Sequence, residues 1–226
     1  MRIDIVTLFP EFINSYCSKG VLGRGIKENL LTVVAHDLRP YGIGRHNQVD
    51  DRPFGGGAGM LLKFEPIAKV ITEIYQDYSE LGITNYQTIA LSAGGETYKQ
   101  SVAKKLNQFQ ALILLCGRYE GFDQRIIEAF VDQELSIGNY VLSGGELASL
   151  VVLDSIARLI PGVLGKEESF QHDSFYEDDI SAQYEQYTRP ETIDYEGQKL
   201  SVPEILLSGN HQEVAKWRKS RIKLVN

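Results

Sequence analysis

Ala111–Gly121 reads ALILLCGRYEG, an apolar run that passes directly into a loop flanked by glycines. An apolar run without polar alternation is the pattern of a strand buried on both faces, as in a parallel sheet covered by helices. In open α/β sheets, ligands lie beyond the carboxyl ends of the strands, which is where Gly117–Gly121 falls. Outward from this strand, Ile3–Phe9, Leu31–Ala35 and Gln87–Ser92 are further short apolar runs, while Phe64–Tyr78 and Thr97–Leu106 are longer amphipathic stretches. In Phe64–Tyr78, the residues Ile67, Val70, Ile71 and Ile74 recur at helical spacing.

This alternation predicts an α/β fold with a mainly parallel sheet over residues 1–164, ending in a helix over Gly145–Leu159 that Pro161 and Gly162 close. Residues 165–176 lose periodicity and are expected to form a flexible linker. Residues 177–226 are expected to form a small all-α domain. Pro203 opens a helix over Glu204–Leu207, Ser208-Gly209-Asn210 breaks it, and His211–Lys219 forms the last helix. A unit this short buries little core alone and is expected to pack on something.

The whole chain has 226 residues, 43% hydrophobic and 23% charged, which suits one large domain and one small one. It holds no apolar run long enough to span a bilayer, and Met1–Pro10 lacks the shape of a signal peptide. The two cysteines, Cys17 and Cys116, have no metal-type spacing, and His36, His46, His172 and His211 are scattered, so no metal site is expected. These features predict a cytoplasmic protein with no membrane partner. The net charge of −7 argues against a nucleic-acid partner, but the charge is unevenly placed. Glu167–Glu196 carries ten acidic residues and one basic residue, Arg189, whereas Lys216, Arg218, Lys219, Arg221 and Lys223 face only Glu213 in the last sixteen positions. Basic surfaces can therefore coexist with an acidic total.

Three glycine-dense segments stand out: Asp50–Met60 (DDRPFGGGAGM), Gly117–Gly121 (GRYEG) and Ser136–Glu146 (SIGNYVLSGGE). Glycine has no Cβ, so backbone groups there can approach a ligand closely. Neither the dinucleotide fingerprint G-x-G-x-x-G nor the phosphate loop G-x-x-x-x-G-K-[ST] occurs. A nucleoside-like ligand held mainly by backbone groups stays open, as do plain tight turns.

The strings LFPEF (Leu8–Phe12), DDRPFGGGAGM, CGRYEGFD (Cys116–Asp123), SIGNYVLSGGE, IPGVLG (Ile160–Gly165), DSF (Asp173–Phe175), YTRPE (Tyr187–Glu191) and LLSGNH (Leu206–His211) follow one another in order. In that ordered set the chain resembles the bacterial tRNA (guanine-N1)-methyltransferases from Met1 to about Trp217. The resemblance implies the SPOUT class, with a trefoil knot in the C-terminal part of the α/β domain, a departure from ordinary chain topology. It also implies a homodimer with active sites shared between subunits, S-adenosyl-L-methionine as methyl donor, and the anticodon arm of tRNA as partner. The C-terminal domain would bind that tRNA.

Carried over by motif, the resemblance implies a cofactor pocket of Leu91, Gly117, Tyr119, Glu120, Gly121, Ile137, Gly138, Asn139, Tyr140, Val141, Leu142, Gly144 and Gly145. It implies a guanine-binding loop that includes Asp50, Arg52, Gly55, Gly56, Gly57 and Gly59. Asp173 would be the general base, and Arg158 would stabilise charge on the guanine. N1 of guanine carries a proton at neutral pH, which a carboxylate in reach can remove, and a fixed guanidinium can meet the charge that then grows on O6. Three positions depart from the family pattern: Ala58, Ala93 and Ala148 stand where proline is usual, and each swap loosens its loop. Two alternatives remain: a ribose 2′-O-methyltransferase of the same class, and an RNA-binding protein without catalysis.

Overall fold

Ile3 and Ile5 pack on one side of the central sheet and Val6 on the other, so the first strand is buried on both faces. The structure, a computed structural model, describes residues 1–164, 174–175 and 181–224. It divides the chain into two units, Met1–Glu167 and Glu168–Asn226.

The first unit is built on a five-stranded sheet of β1 (Arg2–Thr7), β2 (Thr32–Asp37), β5 (Tyr86–Thr97), β6 (Ala111–Cys116) and β7 (Gln133–Ser136), in the order β2-β1-β6-β5-β7. Every neighbouring pair runs parallel. The apolar run of β6 alternates as a doubly buried strand must. Leu112, Leu114 and Cys116 enter one core, and Ala111, Ile113 and Leu115 the other. The first core is closed by α1 (Pro10–Cys17), α2 (Gly20–Lys27), α4 (Gln100–Leu106) and α6 (Glu146–Ala157). The second is closed by α3 (Phe64–Glu80) and α5 (Gln124–Phe130). Ile67, Val70, Ile71 and Ile74 are the buried stripe of α3, as their spacing predicts. A short antiparallel pair, β3 (Asp50–Asp51) with β4 (Leu61–Leu62), brackets the glycine-rich loop between them.

Two expectations need correction. The strand read as Gln87–Ser92 continues to Thr97, and the helix read from Thr97 begins at Gln100. Leu135 faces both Leu91 and Glu96, so Ser92–Gly95 bulges out of the ladder. A Cβ on Gly95 would lie 2.6 Å from the Glu134 carbonyl carbon, so the glycine that looks like a strand breaker instead allows two backbones to touch. The second correction concerns the C-terminal unit, which is not all-α. Its helices α7 (Glu204–Leu207) and α8 (His211–Ser220) accompany a hairpin of β9 (Thr192–Tyr195) and β10 (Gln198–Ser201), and β8 (Ser181–Ala182) pairs with β11 (Lys223–Leu224). Glu196 and Gly197 both have positive φ, 54° and 78°, the geometry of a two-residue hairpin turn. Alternation in a strand only four residues long is too brief to read from sequence. Asn210 caps α8 by accepting from the backbone N–H of Gln212 (3.2 Å) and Glu213 (3.3 Å). Among the described residues of this unit, none is buried. Most of the expected linker, residues 165–173 and 176, lies outside the described residues.

Candidate active site

The bulge of β5 and the loops after β6 and β7 meet at the carboxyl edge of the sheet. β6 ends at Cys116, which lies in the hydrophobic core, where burial pushes its thiol well above the ordinary value. Gly117–Gly121 then turns back on itself, with Tyr119 in the left-handed region at φ 59° and Gly121 N–H donating to the Arg118 carbonyl at 3.0 Å. Gly144 bridges Arg118, and Gly145 N–H donates to the Gly117 carbonyl at 2.8 Å. A Cβ on Gly145 would sit 2.7 Å from Cys116 Cα, so the two loops can lie this close only because position 145 is glycine.

Together these loops enclose a cavity of about 480 Å³. That falls in the range of roughly 300–1,000 Å³ common for small-molecule sites. Of the thirteen residues expected to hold a cofactor, Leu91, Gly117, Tyr119, Glu120, Gly121, Ile137, Gly138, Tyr140, Val141, Leu142, Gly144 and Gly145 line it, while Asn139 does not. The Tyr140 hydroxyl donates to the Ile137 carbonyl at 3.2 Å and folds its ring back over Gly138. The expected cofactor set leaves out Ala93 and Gly94, which reach the rim through the β5 bulge, and Glu134–Ser136 of β7. Their signal is faint, because β7 has only four residues.

The glycine-rich loop that follows Asp50 lies against the Gly117–Gly121 loop. Glu120 N–H donates to the Met60 carbonyl (3.0 Å), and Leu62 N–H to the Gly121 carbonyl (2.9 Å). Gly55, Gly56, Gly57 and Gly59 all have positive φ, and the missing Cβ of Gly59 leaves room for the Glu120 side chain. Asp51 receives Lys63 Nζ at 2.8 Å, which with the Arg52 N–H holds its carboxyl below the usual range. Arg52 is exposed, and none of Asp50–Gly59 lines the 480 Å³ cavity.

Arg158 follows the last turn of α6 and lines a neighbouring cavity of about 760 Å³, which shares Ile137, Tyr140 and Leu142 with the first. Beside it lie Phe12, Tyr16, Leu147 and Val151, which α1 and α6 leave about half exposed. Asp173 lies outside the described residues. Among the described residues no His, Cys, Asp and Glu cluster could hold a metal ion, and no helix is long and apolar enough to cross a membrane.

The relatives of this chain agree over nearly its full length. A family model described as tRNA (Guanine-1)-methyltransferase TrmD matches residues 1–224. A tRNA (guanine-N(1)-)-methyltransferase of Clostridioides difficile (strain 630) is 46% identical over 219 residues, covering 97% of this chain and 91% of the relative. Its counterpart in Pasteurella multocida (strain Pm70) is 45% identical over 218 residues, covering 96% and 85%. The crystal structure of tRNA (m1G37) methyltransferase from Aquifex aeolicus superposes with a TM-score of 0.77 at 34% identity, covering 96% of this chain and 87% of that one. That match makes the parallel-sheet unit a SPOUT fold. A glycine-lined cavity at the carboxyl edge of that sheet, in a chain aligned end to end with these enzymes, leaves one assignment: the chain belongs to the tRNA (guanine-1)-methyltransferase TrmD family.

Proposed function

We propose that the chain transfers a methyl group from S-adenosyl-L-methionine to N1 of the guanosine immediately 3′ of the anticodon in tRNA. The observation that carries this reading is the cavity between Gly117–Gly121 and Ile137–Gly145, set at the edge where α/β sheets bind ligands. Its walls suit a nucleoside with a short polar tail: apolar Leu91, Ile137 and Leu142 beside backbone groups left open by Gly117, Gly144 and Gly145. When bound, the sulfonium supplies an electrophilic methyl group, so the protein need not form a covalent intermediate.

The protein's task is the proton on N1. Asp173 is the proposed base, and the Arg158 guanidinium the proposed partner for the charge that develops on O6 as N1 loses its proton. A free aspartate, with a pKa near ~3.9, is a weak base at neutral pH. The assembled site must raise that value or couple proton removal to closure over the RNA. The loop carrying Asp50, Arg52 and Gly55–Gly59 is the proposed guanine pocket, tied to the donor site through Glu120 and Met60.

A second copy of the chain completes this proposal. Arg158 opens into a cavity beside the donor site rather than into it, bordered by the exposed side chains of Phe12, Tyr16, Leu147 and Val151. An apolar patch of this kind is typical of an interaction surface, and a homodimer across it would build each site from two subunits. The class's trefoil knot, a cytoplasmic setting and tRNA binding by the C-terminal unit, through the basic residues Lys216, Arg218, Lys219, Arg221 and Lys223 near its end, belong to the same reading.

The test is single-turnover methylation by Asp173→Asn. Loss of a general base costs about 10²-fold or more. We expect that fall with S-adenosyl-L-methionine affinity little changed; turnover within a few-fold of the parent would move the base elsewhere, with Glu120 next in line.

A further inference from the structure

Glu146 opens α6 with only 4% of its surface exposed. A buried carboxylate is costly unless it is paired and fully hydrogen-bonded, and an apolar residue of similar size often stabilises a fold at least as well. Its place here calls for a reason beyond stability, and its contacts supply one. Oε1 accepts from the Thr7 hydroxyl at 2.8 Å. Arg118 Nε approaches both carboxylate oxygens, at 3.3 Å and 3.1 Å, and Arg118 Nη2 lies 3.1 Å from Oε2. The remaining arm of the guanidinium, Nη1, donates to the Ser143 carbonyl at 3.0 Å. A single carboxylate thus joins the end of β1, the loop after β6 and the glycine turn before α6, three segments distant in sequence. A Cβ on Gly144 would lie 2.6 Å from Glu146 Oε2 and press on the Arg118 side chain, so the glycine makes room for this ion pair. The Arg118 guanidinium also stands 4.4 Å over the Phe9 ring.

We infer that Glu146 is a positioning residue that fixes Arg118 at the wall of the donor cavity and cancels its positive charge there. The inference rests on the reading of that cavity as the methyl-donor site. Arg118 lines the cavity, and the donor carries a sulfonium cation. An uncompensated guanidinium in a partly dry wall would repel it, whereas the neutral thioether product, S-adenosylhomocysteine, would escape most of that penalty. Glu146 therefore has two consequences that a purely structural ion pair lacks. It holds two ligand-binding loops in register, and it sets the preference between charged donor and neutral product.

The experiment compares the full-length parent with Glu146→Gln and Thr7→Val. Dissociation constants for S-adenosyl-L-methionine and S-adenosylhomocysteine come from calorimetry, and backbone amide exchange is followed without ligand. In Glu146→Gln the donor is expected to bind about tenfold or more weakly, equivalent to about 1.4 kcal/mol, and the thioether to lose less. Amide exchange should quicken at Gly117–Glu120 and Ser143–Gly145 and stay unchanged in β6. Thr7→Val removes one anchor of the carboxylate while keeping the ion pair. It should quicken exchange in the same loops with the donor-to-product preference retained, and it carries the loop test alone if Glu146→Gln does not fold. Loop exchange and donor affinity both within twofold of the parent would overturn the inference. A parent that binds no donor, with loops that still loosen in the variants, would overturn the donor-site reading and leave the positioning role standing.

Discussion

At the scale of single residues, the fold's most demanding charge is Asp4, fully buried in β1. Burial alone pushes its carboxyl up. Hydrogen bonds from His36 Nε2 (2.7 Å), the Arg2 guanidinium (2.8 and 2.9 Å) and the Tyr78 hydroxyl (2.7 Å) more than offset this and hold it below the usual range. A carboxyl lowered in the folded state stabilises the protein above its unfolded value of about 3.9 and loses that contribution as pH falls through the folded value. Asp4→Asn should cost about 3 kcal/mol at neutral pH, as breaking a buried pair does, and its stability should fall less steeply on acidification below about pH 4. Denaturant melts at neutral and acid pH check both; parallel losses in parent and variant would show that Asp4 does not carry the acid sensitivity.

At the scale of elements, the strands and helices with long apolar patterns are legible in the sequence. Ala111–Cys116 is β6 residue for residue, and the stripe from Ile67 to Ile74 is the buried face of α3. What escapes are elements whose local signal contradicts their state. Three glycines in eight residues hide α2, yet Gly25 packs where a Cβ would crowd Leu31 and Val163 at 3.1 Å, so tertiary packing overrides helix propensity. The bulge of β5 is hidden likewise by Gly94 and Gly95. The two glycines differ in a testable way. A Cβ on Gly95 would meet the backbone of Glu134 and Leu135 at 2.6 Å, whereas on Gly94 its nearest neighbour is Ser92 Oγ at 3.9 Å. Gly95→Ala should destabilise the protein by about 1–3 kcal/mol, the usual cost of overpacking, with Gly94→Ala close to neutral. Equal thermal melts for the two would mean that the β5–β7 contact yields easily. The site is half legible by the same logic. The glycine loops announce themselves by composition, but Thr7, Arg118 and Glu146, which tie them together, are polar residues of ordinary appearance whose partners are set by the fold.

At the scale of the whole molecule, the proposal stands on a site completed by a second copy and on an RNA partner. The exposed Phe12, Tyr16, Leu147 and Val151 should be covered in solution, so light scattering at micromolar concentration should give the mass of a dimer, and a stable, active monomer would contradict it. With an acidic total of −7, the proposed RNA binding rests on local basic patches rather than on the protein's overall field. The most direct test of the central claim is methyl transfer from labelled S-adenosyl-L-methionine to two tRNA transcripts that differ only in guanosine or adenosine immediately 3′ of the anticodon, followed by nucleoside digestion. The account predicts 1-methylguanosine from the guanosine transcript and no label in the adenosine transcript. Label in both transcripts, or in a 2′-O-methylated nucleoside, would contradict it.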